Sequence, residues 1–324
     1  MPKDIRDAFF DMLYEDALKD KDIIVITADA DAFGLRQFKK NISDRFINIG
    51  VTEQNMINVA AGMAMRNKKV FVYGIIPFIT MRCYEQIKFN LSGMNLPVKI
   101  VGVGTGFSFG FDGPSHHGIN DIAIMRSVPN MQIFNPCDET STVASYKLMK
   151  LSDSPSYIRL DKGKYEDIYT NDAVSKIPED KIILLKAYTE KNEFKTYKFL
   201  TDNDVGKILV ISTGYATHIV KKYIETSQSN IDDISFMDIY QIKTFPYENL
   251  DMYEHIIVIE EHCKTGGLYN IVLEKAASNI NKPNVHSISL MDAEHLIYGD
   301  RKFLLEKNGI TVKNLAKNID KCRI

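Results

Sequence analysis

The sequence predicts an α/β fold of two domains, each a mainly parallel sheet with helices on both faces. Three observations carry this. Short β-branched runs alternate with stretches of helical apolar spacing. The strand-like runs are continuously apolar, as parallel strands covered on both faces should be. The 324 residues suit one large or two medium domains, and an apolar content of 45% is enough for their cores.

The elements follow in order. Residues 4–19 place Ile5, Phe9, Leu13 and Ala17 at helical spacing, and DIIVITA (22–28) reads as the first strand. FINIGV (46–51) reads as a strand that runs into a helical pattern over 53–66. Strands KVFVYGII (69–76), VKIVGVG (98–104), MQIFNP (131–136) and SYIRL (156–160) come next, with helical patterns at 80–92, 117–126 and 138–151 between them. After Lys162 the composition turns polar. IILLKAY and KTYKFL flank TEKNEF there, which predicts a small hairpin inside a linker. A second alternating unit runs through KILVIST, a helix holding Val220 and Ile224, DISFMDIY, HIIVIEE, a helix after TGGLY, and NVHSISL. The expected division is a domain at 1–165, a linker with a hairpin at 166–204 and a domain at 205–324.

Composition excludes several classes. The formal charge is −2, from 40 basic and 42 acidic residues, which gives no argument for nucleic acid or an anionic membrane. No apolar stretch is long enough to span a bilayer, and the charged N-terminus lacks the pattern of a signal peptide, so the expected location is cytoplasmic. Cys83, Cys137, Cys263 and Cys322 form no CxxC pair, and no metal-ligating set is read from spacing.

Chemistry concentrates at strand ends. Glu53 opens an almost wholly apolar helix, MINVAAGMAM, where Thr52 can cap and an acid suits the positive end of the dipole. Both flanking segments read as buried, however, and a carboxylate there needs either a raised pKa or a hydrogen-bonding partner. The glycine-rich stretch from Gly102 to Gly118 lacks dinucleotide-binding spacing. It ends in Asp112, His116 and His117, two histidines and an acid at a strand end. In PFITMRCYEQIK, Phe78, Met81, Tyr84, Ile87 and Lys88 share helical spacing. They fit a core stripe, or a Phe78 ring offered to a flat ligand. Asp29 and Asp31 follow the first strand as a cap pair or a site. Gly266 and Gly267 precede a helix as a tight turn or an anion site.

Taken together, INIGVTEQNM, FDGPSHHG, IMRSVPNMQIFNPCDE and DSPSYIRLDKG resemble the transketolase family of thiamine-diphosphate enzymes over nearly the whole chain. The resemblance implies a pyrimidine-binding domain followed by the family's C-terminal domain. The GDG motif and paired asparagines that hold Mg²⁺ and the diphosphate in full-length members are not found. The chain thus resembles the second half of a split enzyme. It would need a partner subunit carrying the diphosphate-binding domain, in an α2β2 assembly.

The resemblance also implies roles. Glu53 would meet N1′ of the cofactor's aminopyrimidine and favour the tautomer that deprotonates thiazolium C2. Phe78 would stack on that ring, with Ile79 or Thr80 as alternatives, and Asp29 would lie near it at the subunit contact. His116 would touch donor oxygens and Asp112 a substrate hydroxyl. Lys162 stands where an arginine often grips the sugar phosphate, and Arg159 is one turn of strand away. A lysine binds phosphate as a point charge, which points towards a modified sugar. The reaction implied is transfer of a two-carbon ketol unit between sugars or sugar phosphates. The alternatives are a deoxyxylulose-phosphate-synthase-like reaction, the β chain of a 2-oxo-acid dehydrogenase, and a degenerate regulatory subunit.

Overall fold

The computed structural model describes residues 3–169, 207–227, 234–243, 250–279 and 281–324, and the backbone of 185–190 and 193–196. The first region opens with α1 (Ile5–Lys19), capped by the Asp4 carboxylate, which accepts from the Arg6 N–H. It continues β1 (Ile23–Thr27), α2 (Leu35–Asn41), β2 (Phe46–Asn48), α3 (Glu53–Ala64) and β3 (Lys69–Ile75). Two short turns, α4 (Ile76–Ile79) and α5 (Tyr84–Gln86), lead to β4 (Lys99–Val103). Then come α6 (Asp121–Arg126), β5 (Gln132–Phe134), α7 (Glu139–Leu151) and β6 (Ser156–Leu160). All six strands are parallel, in the order β2-β1-β3-β4-β6-β5. Every residue of β1, β4 and β6 is buried, which accounts for their largely apolar character, the buried Lys99 and Arg159 apart.

The second sheet has the order β12-β11-β9-β10-β7-β8. Four strands, β9 (Ile208–Ser212), β10 (Ile234–Asp238), β11 (His255–Cys263) and β12 (Asn284–Leu290), run parallel. β7 (Leu185–Glu190) and β8 (Glu193–Thr196) pair antiparallel, taking in most of the TEKNEF stretch expected as a turn, and β7 pairs antiparallel onto β10. The expected linker residues 170–184 and 197–206 lie outside the described residues. Helices α8 (Ala216–Thr226), α9 (Leu268–Ala277), α10 (Arg301–Lys307) and α11 (Val312–Cys322) complete this half. Among the described residues no helix is long and apolar enough to cross a membrane.

The helix expected over 80–92 is broken. Only Tyr84–Gln86 is α-helical, and Ile87–Ser92 is a π-type turn. The buried stripe is Ile76, Ile79, Cys83, Ile87 and Leu91. Of the residues first read as a core stripe only Ile87 belongs to it, and Phe78 stays half-buried while Met81 is 47% exposed. A π turn inserts one residue per turn, and it shifts which side chains face the core.

One apolar core runs through both halves, joining Ile57, Val72 and Ile100 to Leu209, Ile256 and Leu268. The halves also share backbone bonds. The Asn135 N–H donates to Tyr240 O and the Ile242 N–H to Ile133 O, each at 2.8 Å, around an antiparallel bridge of Phe134 with Gln241.

Candidate active site

Every site residue predicted from sequence lies on a loop or helix start leaving the carboxyl end of a first-sheet strand. Asp29 follows β1, Glu53 follows β2, Phe78 follows β3, Asp112 and His116 follow β4, and Lys162 follows β6. Chain order reverses between β1 and β3, and ligands of open parallel sheets bind outside the carboxyl ends at such a point.

Glu53 is 5% exposed at the first position of α3, and Thr52 makes no side-chain cap bond there. The partner that burial requires is Arg82, whose Nη1 donates to Glu53 Oε2 at 2.7 Å. The same guanidinium lies 4.5 Å from the centre of the Phe78 ring. Phe78 meets the His116 ring edge-on at 5.1 Å, and His116 meets Phe109 at 6.3 Å. The Lys162 ammonium lies over the other aromatic, 4.9 Å from the Phe109 centre. Glu53, Phe78, His116 and Lys162 thus form one chain of contacts through Arg82 and Phe109.

Asp29 and Asp112 stand beside this chain. Asp29 adopts a left-handed backbone (φ 61°), unusual for an aspartate. It exchanges two 3.0 Å bonds with the Asn48 amide, whose oxygen also accepts the Gly50 N–H. Asn48 therefore ties the β1 and β2 loops together just ahead of Glu53. Asp112 is exposed, and among the described residues its carboxylate meets no member of the cluster.

The two histidines point apart. His116 is half-exposed with Nδ1 3.0 Å from Ser115 Oγ. His117 is buried against Phe107, at 5.0 Å between ring centres, and burial lowers its pKa. His117 therefore serves the packing.

The loop from Gly104 to Asp121 is held from behind by the second half. Glu261 accepts the Phe107 N–H at 2.8 Å, and Gly106 (φ +55°) leaves room for it: a Cβ there would lie 2.1 Å from Glu261 Cδ. Arg301 pairs with Glu261 and reaches Asp161 at 2.6 Å. His262 Nε2 accepts the Ile122 N–H at 3.1 Å, so Nδ1 carries the proton and donates to Cys263 O at 2.9 Å. Burial pushes His262 down to about 4, against the opposing pull of Asp121.

Arg159 is sealed inside this support. Its Nε and Nη2 grip Asp121 at 2.5 and 3.1 Å, and Nη2 also donates to Gly118 O at 2.8 Å. It is turned to Asp121 and Gly118 rather than to the cluster, whose cations are Arg82 and Lys162. The Gly266–Gly267 turn has its acceptor already, since the Glu260 carboxyl accepts the Leu268 and Tyr269 N–H groups at 2.7 and 2.9 Å.

Arg82, Asn48 and Phe109 escape the sequence reading. Arg82 did leave a signal, the one cation in IIPFITMRCYEQI, four residues after Phe78.

A family profile described as the transketolase pyrimidine-binding domain matches residues 1–167. The chain is 31% identical over 318 residues to one subunit of the apulose-4-phosphate transketolase of Phocaeicola vulgatus, covering 96% of this chain and 95% of that one. It is 26% identical over 318 residues to a 6-deoxy-6-sulfo-D-fructose transketolase subunit of Clostridium sp., covering 97% and 92%. A solved structure titled as a split-gene transketolase in an inactive β4 tetramer superposes with a TM-score of 0.78 at 25% identity, covering 98% of this chain and 97% of the other. The chain belongs to the transketolase family, whose enzymes depend on thiamine diphosphate.

Proposed function

We propose that this chain is the pyrimidine-holding, second-half subunit of a split transketolase that moves a two-carbon ketol unit between sugars. The observation that carries the reading is the trio Glu53–Arg82–Phe78. A guanidinium is flat, conjugated and rich in N–H donors. Here it donates to the buried carboxylate and lies over the ring. An aminopyrimidine needs the same two contacts, so the residues present fit the cofactor's ring. When bound, thiamine diphosphate supplies a nucleophilic thiazolium carbon that takes up the two-carbon unit.

The chain's own residues do the rest. Glu53, away from bulk water, holds a proton against the ring nitrogen, and the low local dielectric strengthens that bond. Phe78 supports one ring face, once Arg82 swings towards solvent, where its side chain is already 44% exposed. His116 is oriented by Ser115 at Nδ1, which leaves Nε2 for donor oxygens. Asp112 accepts a substrate hydroxyl, and Lys162 supplies a point charge for an anionic group. Asp29 and Asn48 fix the loop beside the ring. The relatives named for apulose-4-phosphate and 6-deoxy-6-sulfo-D-fructose favour a modified sugar carrying such a group.

Diphosphate and Mg²⁺ are assigned to a partner subunit, in an α2β2 assembly. Phe33, Val51, Met81 and Phe111 stand exposed on the segments that follow β1 to β4, apolar surface suited to that partner.

The test is co-purification with a diphosphate-domain subunit, followed by ketol-transfer assays with thiamine diphosphate and Mg²⁺. Glu53→Ala should preserve the assembly and slow hydrogen exchange at C2 of the bound cofactor, and wild-type exchange would remove Glu53 from this role. His116→Ala should lower turnover with C2 exchange unchanged. Normal kinetics in that variant would place substrate elsewhere.

A further inference from the structure

At the amino-terminal end of the second sheet, away from the cluster above, three ligand-bearing side chains converge. His255 is the first residue of β11, and His286 lies on the neighbouring parallel strand β12, opposite Ile257. Their rings stack at 5.4 Å between centres and 30° between planes, with His255 Nδ1 3.2 Å from His286 Nε2. Cys322, the last residue of α11, brings its thiol to the same spot. One ligand atom from each residue lies within 4.8 Å of the others, and all three are half-buried.

We propose that His255, His286 and Cys322 form a zinc-type site, taking a borderline-soft divalent cation with a water as fourth ligand. Bonds of about 2.0–2.1 Å to nitrogen and about 2.3 Å to sulfur put two tetrahedral nitrogens roughly 3.3 Å apart and nitrogen and sulfur roughly 3.6 Å apart. The nitrogens already have that separation. The thiol closes the set within the reach of a small side-chain shift. Two imidazoles and a thiolate select zinc and its neighbours over the hard cations Mg²⁺ and Ca²⁺, which take oxygen ligands. Partial exposure leaves a path in and a place for the water.

The site is structural in consequence. β11 runs nine residues from His255 to Cys263, so the metal lies about 25 Å from the end that supports the Gly104–Asp121 loop. It ties the last helix to the sheet's edge pair of strands. Binding to the folded chain alone stabilises that chain by mass action.

Cobalt(II) titration of the untagged full chain under reducing conditions tests this. One equivalent should bind with the intense visible bands of a tetrahedral ion and a thiolate-to-cobalt charge-transfer band, and Zn²⁺ should displace it and raise Tm. Cys322→Ala should fold, lose the charge-transfer band and bind far more weakly. A lost ligand costs at least the roughly 10–100-fold of a lost second-shell partner. His286→Gln should lose the tetrahedral bands with the thiol still present, and Glu53→Ala should titrate as wild type. No saturable binding below millimolar cobalt, or identical spectra in Cys322→Ala, would overturn the proposal.

Discussion

Both halves of the molecule end their parallel strands in charged and polar residues, yet the two carboxyl edges are used in opposite ways. At the first, Asp29, Arg82, Asp112 and Lys162 are exposed, beside the buried Glu53, His117 and Asp161. At the second, Asp238, Glu260, Glu261, His262 and Cys263 are all buried, and each has a partner inside the protein. Four of these five, Asp238, Glu261, His262 and Cys263, also bond across to the first half. The second edge is committed to holding the loop that the first edge presents. Residue type alone does not separate a site from its support; exposure and the direction of each hydrogen bond do.

This contrast can be broken by substitution. The largest effect is expected at Arg159→Ala, which strands the buried Asp121 carboxylate; losing one partner of such a pair costs about 3–5 kcal/mol. Urea midpoints should show it, and a loss under about 1 kcal/mol would mean the inner network is dispensable. An intermediate effect is expected at Asp238. Burial raises this carboxyl to about 7, against hydrogen bonds from Thr217, Tyr169 and Cys137. The folded chain therefore holds the proton more tightly than the unfolded chain, whose aspartates titrate near 3.9. Its contribution to stability is whole below about pH 4 and fades as pH rises through 7. Asp238→Asn should flatten that slope, and an unchanged profile would assign it to other groups.

The smallest effect is expected at Arg82→Ala. Its side chain is 44% exposed, so water can replace it at Glu53 and stability should move by no more than about 1 kcal/mol. Thiamine diphosphate should bind the assembled enzyme a few-fold more tightly, because the ring face and the carboxylate are vacated, a contact worth about 0.5–1 kcal/mol at an exposed site. Weaker binding would instead give Arg82 a part in shaping the pocket. Calorimetric titration decides between them.

Much of the architecture was legible because buried parallel strands are written as local runs: IIVIT, KIVGV and SYIRL read directly as β1, β4 and β6. Glu53 was legible as a buried acid that needs either a raised pKa or a hydrogen-bonding partner, and the fold supplies the Arg82 bond. The partner itself was hidden, since Arg82 comes 29 residues later and a single cation on a helix pattern looks like surface. The break at Ile87–Ser92 was invisible for a related reason, since a 3.6-residue period cannot register one extra residue in a turn. Arg159 and Asp121 are 38 positions apart, and the 31-position separation of His255 and His286 matches no metal motif.

The bridge between Phe134 and Gln241 also bears on self-association. β5 is a terminal strand of the first sheet, and Ile133 and Asn135 already exchange main-chain bonds with Tyr240 and Ile242. That rim offers little ladder to a foreign strand, and the opposite rim, β2, is three residues long. A sheet blunted at both sides resists edge-to-edge polymerisation, and further copies or subunits are steered to its loop-bearing ends.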